Sequence, residues 1–246
     1  MNLSLGLKTD RGPREGENQD SIVGVIIEGP PRIALAIVAD GMGGAKAGEH
    51  ASQEAVKVVQ HYLVGSGLPT VENAATRLRD AITLANKSIY DKGKSSTEME
   101  GMGCTIVVAL VIDDVYWIAS VGDSRAYLVR NSESHQLTDD HTWVNARVRE
   151  GLLTPEQAAN HSLKHVLDRA LGTETTIEVD VWPDDVLEEG DVLLLCTDGL
   201  YGVLEDGDIP NLVAGRTPED AAMALVDRAL NAPTHDNTSV IVLRAG

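Results

Sequence analysis

The sequence lacks phenylalanine altogether, and aromatic residues occupy only 3% of its 246 positions. Apolar residues still make up 43% of the chain, so a core has to be built from Val, Leu, Ile and Ala. A chain of this length buries roughly 70–75% of the surface that it exposes when unfolded. Because the apolar content is ordinary and long low-complexity tracts are missing, the composition excludes an intrinsically disordered protein.

Basic residues are scarce as well. The chain has 20 Lys and Arg against 38 Asp and Glu, which gives a formal net charge of −18. An acidic surface repels the phosphate backbone of nucleic acids and has few cations to exchange for its counterions. We therefore expect no nucleic acid among the partners of this protein.

Long apolar runs and paired cysteines are also missing. The longest fully apolar runs, Ile33–Ala39 and Ile106–Ile112, are far shorter than the ~18 residues of a membrane span. The start, Met1–Leu7, has neither the basic residues nor the long apolar stretch of a signal peptide. Cys104 and Cys196 lie inside apolar segments, where we expect small buried hydrophobes. We expect a soluble, cytoplasmic protein that does not associate with membranes.

The strand signals are frequent and rich in β-branched residues. They predict strands at Ser21–Ile27, Arg32–Ala39, Cys104–Ile112, Val115–Val121, Arg125–Arg130, Val192–Cys196 and Thr238–Leu243. Only Asp113 and Asp114 separate two of these segments, which predicts a tight hairpin and antiparallel pairing. Amphipathic patterns predict one helix from about Gly48 to Val64 and a second that starts at Thr70.

The polar stretch from about residue 141 to residue 168 interrupts this series and predicts an inserted helical flap over one edge of the fold. Within it, Thr154–Gln157 has the spacing of a capping box, and Thr217–Asp220 predicts a further helix start outside it. No repeat and no Ser-, Gly- or Pro-rich linker divides the chain. The pattern predicts a single domain over residues 1–246, an α+β layered sandwich with largely antiparallel sheets.

Carboxylates stand at the ends of the predicted apolar strands, at Asp20, Asp40, Asp123, Asp198 and Asp236. Each one alone is explained by a turn, because Asp-Gly is a common turn dipeptide. Together they could converge on one edge of a sandwich, where clustered carboxylates repel unless cations neutralise them. Oxygen ligands without His or Cys favour Mg²⁺ or Mn²⁺ over zinc. Spacing alone leaves both a series of turns and a di-metal site open.

Six short motifs occur in order along the chain and carry a family resemblance. They are Arg14…Asn18-Gln19-Asp20, Asp40-Gly41-Met42-Gly43-Gly44, Gly103-Cys104-Thr105, Val121-Gly122-Asp123-Ser124-Arg125, Thr197-Asp198-Gly199 and His235-Asp236-Asn237-Thr238-Ser239. With them, the chain from about Leu3 to Leu243 resembles the bacterial branch of the type 2C metal-dependent protein Ser/Thr phosphatases. Leu137–His141 and Arg169–Gly172 resemble that family's segments around its flap. The resemblance implies a four-layer α-β-β-α sandwich with two central, mainly antiparallel sheets flanked by helices.

The resemblance also implies a site for two Mg²⁺ or Mn²⁺ ions, with a weaker third ion beside them. Asp40 would bridge the two ions, and the Gly41 carbonyl would add an oxygen to the second. Asp198 and Asp236 would complete the ligands of the first ion. Asp20 would hold waters on the second ion.

The remaining motif residues have implied roles around these ions. Asp123, together with Asp198, would serve the third ion, and Asn237 would support the site from behind. The Arg of the first motif would clamp the substrate phosphate. Arg14 is the candidate, although it stands one residue further from the following Asn than is usual in the family, and Arg11 is nearby.

Met42 occupies the position at which many eukaryotic members carry a His that would protonate the leaving alkoxide. The general acid is therefore either a metal-bound water or unassigned. Lys46 is nearby, but we interpret it as a solvated surface charge rather than as the acid. The resemblance thus leaves the source of the leaving-group proton open.

Structural interpretations are favoured for several other residues of the flap and the site. For His141, His161 and His165 we expect solvated or capping roles. Trp143 is interpreted as a packing anchor of the flap, and His235 as a turn or supporting residue rather than a metal ligand.

The activity implied by the resemblance is hydrolysis of phosphoserine and phosphothreonine in proteins by direct attack of a water that bridges two metal ions. Such a mechanism needs no covalent phospho-enzyme. The implied partners are phosphorylated proteins and a cognate bacterial Ser/Thr kinase, and we expect a monomer. The carboxylates alone leave two alternatives open, a di-metal phosphomonoesterase for small molecules and a non-catalytic binding or sensor module on the same fold.

Overall fold

The computed structural model describes residues 1–14, 16–234 and 236–246, and for Ala45, Pro183 and Asp184 it describes the backbone alone. The strands are β1 (Leu3–Asp10), β2 (Asp20–Ile27), β3 (Ile33–Met42), β4 (Gly103–Cys104), β5 (Ile106–Ile112), β6 (Val115–Val121), β7 (Arg125–Arg130), β8 (Glu133–Gln136), β9 (Asp180–Val186), β10 (Val192–Cys196) and β11 (Thr238–Ala245). The helices are α1 (Ala45–Gln60), α2 (Ala74–Ser95), α3 (Trp143–Arg149), α4 (Pro155–Ala159), α5 (Asp198–Tyr201), α6 (Ile209–Val213) and α7 (Pro218–Leu230). A π-helical turn at His61–Gly65 extends α1, and 3₁₀ turns occupy Thr97–Met99 and Asp206–Asp208.

Two antiparallel sheets form the centre of the fold. One has the strand order β1-β11-β10-β7-β8, and the other has the order β2-β3-β5-β6-β9 with the short β4 beside β3. The predicted hairpin is present between β5 and β6, and Asp113 turns it with a φ of 58°. The predicted antiparallel pairing is therefore confirmed.

Strand β3 explains how the layers are built. Its residues from Ile33 to Ala39 are all buried, because both faces of the sheet are covered. Successive strand residues face opposite sides, so its odd-numbered residues pack with α1 and α2 and its even-numbered residues pack against the other sheet. On that other sheet, Leu194 and Val242 face outward and pack with α7. These four layers confirm the α-β-β-α sandwich.

Antiparallel register gathers the ends of five strands, β2, β3, β7, β10 and β11, at one end of the sandwich. Asp20, at the start of β2, lies opposite Asp40 in β3. In the other sheet Cys196, the last residue of β10, pairs with Arg125 at the start of β7 and with Val240 near the start of β11. The five predicted aspartates lie in or within two residues of these strand ends, so the topology brings them to the same end.

The sequence analysis did not predict β1, β8 and β9. Strand β9 contains Pro183 and several aspartates, which are depleted from strands, but it lies at a sheet edge where Pro and charge are tolerated. Strand β8 is also a short and largely exposed edge strand. The alternation of Leu3, Leu5 and Leu7 was a pattern from which β1 could have been predicted.

The predicted helices are present with shifted bounds. Helix α2 starts at Ala74 rather than Thr70, because Asn73 Oδ1 accepts a hydrogen bond from the Thr70 N–H at 2.9 Å and closes a turn before the helix. The capping box at Thr154 is confirmed, since the Thr154 and Gln157 side chains each accept from the other's backbone N–H. None of the described helices is long and apolar enough to cross a bilayer.

Candidate active site

Asp20 is held at the start of β2 by residues of the opposite sheet. Its side chain is only 7% exposed. The hydroxyls of Thr197 and Ser239 donate hydrogen bonds to its Oδ2 at 3.0 Å and 2.6 Å. Its other oxygen, Oδ1, is buried and has no hydrogen-bond partner among the described residues. One carboxylate oxygen is thus fixed in place while the other is left free to accept a ligand.

Asp40 and Gly41 lie where β3 meets α1. The Asp40 N–H donates to Thr105 Oγ1 at 3.0 Å, and the Thr105 N–H donates to the Asp40 carbonyl at 2.8 Å. A Cβ on Gly41 would lie 2.1 Å from the carbonyl oxygen of Gly48 in α1. Only glycine allows this close approach of strand and helix.

Asp123 lies on the turn between β6 and β7. Gly122 precedes it with a φ of 103°, and a Cβ there would lie 2.6 Å from the Thr105 side chain. The hydroxyls of Thr105 and Ser124 share a hydrogen bond of 2.6 Å. Thr105 therefore links the Asp40 backbone to the turn that carries Asp123. Asp123 itself is only 7% exposed.

Asp198 and Asp236 come from the other sheet. Asp198 is the first residue of α5, and its Oδ1 is buried without a partner among the described residues. Asp236 precedes β11, is half-exposed and forms an ion pair with Arg14. Asn237 joins the loops behind it, because its Oδ1 accepts from the Gln19 N–H at 2.9 Å and its Nδ2 donates to the Arg11 carbonyl at 2.7 Å.

Electrostatics shows that these carboxylates form one group. Burial raises the pKa of Asp40 well above its usual range, and the charges of Asp20, Asp198, Asp123 and Asp236 raise it further. Burial followed by the charges of neighbouring acids likewise raises the pKa values of Asp20 and Asp123 to about 7, against opposing hydrogen bonds. The pKa of Asp198 is raised by burial and then by Asp236. Such a cluster is a site of concentrated negative charge that a cation would relieve.

Protein side chains alone do not close a metal site here. Within residues 1–14, 16–234 and 236–246, no three His, Cys, Asp or Glu side chains converge closely enough to hold an ion by themselves. The donor set nevertheless fits a hard cation, because it consists of oxygens and includes two buried oxygens without partners. Mg²⁺ retains several waters and binds through few carboxylates, so an incomplete protein shell is what such an ion requires.

The structure distinguishes the two candidate arginines by position. The Arg14 guanidinium reaches the Asp236 carboxylate. The Arg11 guanidinium instead donates to the Gly16 carbonyl at 3.4 Å within its own loop. Arg14 rather than Arg11 is therefore the cation next to the cluster, while Lys46 is exposed to solvent as expected.

The histidines of the flap differ from one another. His141 is wholly buried, so the interpretation of a solvated side chain is wrong for this residue. His161 has a local role, because its Nδ1 accepts from the Leu163 N–H at 3.1 Å and its ring lies 5.2 Å from that of Trp143. His165 is exposed. The predicted role of His235 lies outside the described residues.

A cavity of about 500 Å³ separates the flap from the core beside Asp123, and Lys164 and His165 line its flap side. Its core wall contains an ion pair that sequence analysis missed. Arg125 Nη2 lies 2.7 Å from Asp140 Oδ2, and the Arg125 guanidinium stacks 3.6 Å from the centre of the Tyr201 ring. The sequence contained a signal for this pair, because Arg125 and Asp140 lie in segments that resemble the family, although neither residue was given a role.

Comparison with known proteins agrees with this geometry. A family model described as Protein phosphatase 2C matches residues 14–237. The serine/threonine phosphatase stp of Listeria innocua is 36% identical over 238 residues, which cover 96% of this chain and 93% of the relative. The solved serine/threonine phosphatase Stp1 of Staphylococcus aureus is 33% identical with a TM-score of 0.90, covering 100% of this chain and 96% of that one. The solved catalytic domain of the serine/threonine protein phosphatase PstP in complex with 2 manganese ions is 32% identical with a TM-score of 0.82, covering 98% of this chain and 97% of that one.

A four-layer sandwich with a carboxylate cluster at one end, together with these relatives, defines a phosphatase of the metal-dependent class. The chain belongs to the protein phosphatase 2C family. It is a protein serine/threonine phosphatase, as the resemblance implied.

Proposed function

We propose that the chain hydrolyses phosphoserine and phosphothreonine of cytoplasmic proteins and reverses the action of a Ser/Thr kinase. It acts as a monomer and as a single domain of residues 1–246, with the flap at residues 141–168 beside the site. One observation carries this proposal: in a relative of serine/threonine phosphatases, burial and the charges of neighbouring aspartates raise the pKa values of Asp20, Asp40, Asp123 and Asp198. The net charge of −18 argues against nucleic acid as a substrate.

The cluster is suited to two Mg²⁺ or Mn²⁺ ions. We assign Asp40 to both ions, Asp198 and Asp236 to the first, and the Gly41 carbonyl and water-bridged Asp20 to the second. The partnerless oxygens of Asp20 and Asp198 support this assignment. When bound, two such ions neutralise charge on the phosphoryl oxygens and lower the pKa of a shared water for in-line attack on phosphorus.

Asp123 is assigned to a weaker third ion, together with Asp198. Its pKa of about 7 is the expected property of a carboxylate whose charge is only partly compensated in the metal-free protein. It also lines the cavity beneath the flap.

Arg14 is assigned to the substrate phosphate. A guanidinium binds two phosphoryl oxygens at once, and Arg14 is half-exposed at the edge of the cluster. Arg14 thus orients the phosphate and offsets its charge. Met42 supplies no proton, so the leaving alkoxide takes its proton from water at the site.

The proposal is tested with the purified chain, a phosphothreonine peptide and Mn²⁺, with and without EDTA. Asp198→Ala removes a proposed ligand, and Asp227→Asn removes an exposed carboxylate on α7 as the matched control. We expect EDTA and Asp198→Ala each to lower the rate at least about 100-fold, and Asp227→Asn to leave it unchanged. Activity that survives EDTA or Asp198→Ala would overturn the metal mechanism.

Substrate class is tested with the same protein. Nucleotide monophosphates are compared with the phosphothreonine peptide at equal concentrations. A protein phosphatase should favour the peptide in kcat/KM, because only the peptide engages the surface around the cavity. A preference for the nucleotide would indicate a small-molecule phosphomonoesterase instead.

A further inference from the structure

We infer that His141, at the base of the flap, is a positioning residue that fixes the Gly122–Asp123 turn and thereby joins the flap to that side of the active site. The inference rests on the proposed role of Asp123 as a ligand of the third ion.

The backbone of Gly122 is bonded on both sides by a single residue. The His141 N–H donates to the Gly122 carbonyl at 2.9 Å, and the Gly122 N–H donates to His141 Nδ1 at 3.0 Å. Gly122 has a φ of 103°, and a Cβ there would lie 2.6 Å from the Thr105 side chain, so this turn is closely packed. Asp123 follows directly, and its position is set by the same two bonds.

The other ring nitrogen of His141 is anchored to β9, the edge strand that pairs with β6. Because Nδ1 accepts from Gly122, the proton of the neutral ring is on Nε2, which donates to Asp180 Oδ2 at 2.9 Å. Asp180 begins β9, and its Oδ1 accepts from Arg169 Nη1 at 3.0 Å. The imidazole is wholly buried and therefore has a fixed orientation as well as a fixed tautomer.

His141 also lies at the point where the two ends of the flap meet. The Asp168 N–H donates to the His141 carbonyl at 2.8 Å, and Thr142 forms an isolated antiparallel bridge with Leu167. The chain thus enters and leaves the flap beside the residue that holds Gly122. A displacement of the flap base displaces His141, and with it the support of the turn.

Two isosteric substitutions separate the two functions of the ring. In His141→Asn the amide oxygen lies near the position of Nδ1 and still accepts from Gly122. In His141→Gln the amide nitrogen lies near the position of Nε2 and still donates to Asp180, but Gly122 loses its acceptor. A role in filling space alone would affect both variants alike.

The first readout is hydrogen exchange of the Gly122 amide, measured by NMR on the metal-free protein. We expect exchange to be at least about tenfold faster in His141→Gln than in the wild type and within about threefold of the wild type in His141→Asn. Equal protection in both variants would overturn the inference. Because this measurement needs no metal, it tests the positioning role even if Asp123 binds no ion.

The second readout is Mn²⁺ binding by calorimetry and electron paramagnetic resonance. Loss of a residue that orients a ligand typically costs 10–100-fold in metal affinity, so we expect His141→Gln to weaken the weakest site by about tenfold or more. His141→Asn should retain it. If Asp123→Asn weakens the weakest Mn²⁺ site, a lower melting temperature of His141→Gln with unchanged Mn²⁺ affinity would reduce His141 to a structural residue and overturn the inference.

Two further variants keep the outcome clear. If His141→Gln does not fold, Asp180→Ala releases the ring from β9 and should speed exchange of the Gly122 amide about threefold or more, and unchanged exchange would overturn the inference. Asp123→Asn tests the proposed function separately. If the weakest Mn²⁺ site survives Asp123→Asn, the assignment of the third ion is wrong while the exchange result for His141 still stands.

Discussion

Arg14 and Asp236 form an ion pair at the edge of the carboxylate cluster, so the proposed phosphate clamp is bonded to a proposed metal ligand. Both side chains are about 40% exposed, at 43% and 38%, and a pair so exposed contributes little to stability. The pair matters because Arg14 can exchange its partner Asp236 for the substrate phosphate. A cation that binds Asp236 frees Arg14 at the place where the substrate phosphate is expected.

Arg14→Ala is expected to lower kcat/KM for a phosphothreonine peptide by about 100-fold, because the phosphate loses a bidentate, charged donor. The unfolding free energy should change by less than about 1 kcal/mol. Steady-state kinetics and urea unfolding measure the two effects. Arg11→Ala is the matched control, since among the described residues its guanidinium bonds to Gly16 within its own loop, and it should remain within about threefold of the wild type. A larger loss in Arg11→Ala than in Arg14→Ala would reverse the assignment.

Asp123→Asn is expected to stabilise the metal-free protein at high pH. The folded protein raises the pKa of Asp123 from 3.8 to about 7, chiefly by burial. Well below pH 3.8 the group is protonated in both states and carries no penalty; the penalty grows as the pH rises from 3.8 to about 7 and is complete above that. Asparagine removes this titration, so in EDTA the variant should be more stable than the wild type by about 1–4 kcal/mol at pH 8 and by much less at pH 4.

Urea unfolding in EDTA at the two pH values measures this difference. The control is Asp227→Asn on α7, which should show the same stability difference from the wild type at both values. An Asp123→Asn effect that did not depend on pH would contradict the raised pKa. The same variant should bind Mn²⁺ less tightly, so that stability and metal affinity change in opposite directions.

Thr105→Val is expected to weaken both the fold and the site. Valine has nearly the shape of threonine but leaves the Asp40 N–H without its acceptor and Ser124 without its hydroxyl partner. A buried donor left unpaired costs about 1–3 kcal/mol. Thr105→Ser keeps the hydroxyl and is the control. Thermal unfolding and Mn²⁺ titration should rank the wild type and Thr105→Ser together above Thr105→Val, and identical behaviour of the two variants would contradict this role.

Strand ends are visible in the sequence, so the five aspartates could be recognised as candidates for one cluster, although spacing alone left a series of turns equally open. A run such as Ile33–Ala39 ends at Asp40, and antiparallel pairing then places that residue opposite Asp20. The family resemblance added roles but not contacts. Neither source predicted that Asp20 is held by Thr197 and Ser239, because those bonds join residues about 200 positions apart in the chain.

His141 illustrates what sequence patterns cannot supply. A histidine in a polar stretch is usually solvated, and periodicity contains no signal of its burial. Its environment arises from Gly122, Asp180 and Arg169, which come from separate segments and meet only in the fold. Edge strand β9 was missed for a related reason, since Pro183 and its aspartates have low strand propensity and only pairing with β6 makes them a strand.

Gly41→Ala is expected to be a strongly disruptive single-methyl change at the site. The added Cβ would lie 2.1 Å from the Gly48 carbonyl oxygen and 2.7 Å from that of Gln19, and both are backbone atoms that cannot rotate away. Relief requires β3 and α1 to separate, which costs about 1–3 kcal/mol and displaces Asp40 with the strand. We expect kcat to fall about 100-fold, since a shift of about 1 Å at a reacting centre has that effect. Gly207→Ala is the matched control, because a Cβ there meets nothing within 4 Å. Wild-type activity of Gly41→Ala, measured together with its melting temperature, would show that the β3–α1 junction does not set the geometry of the site.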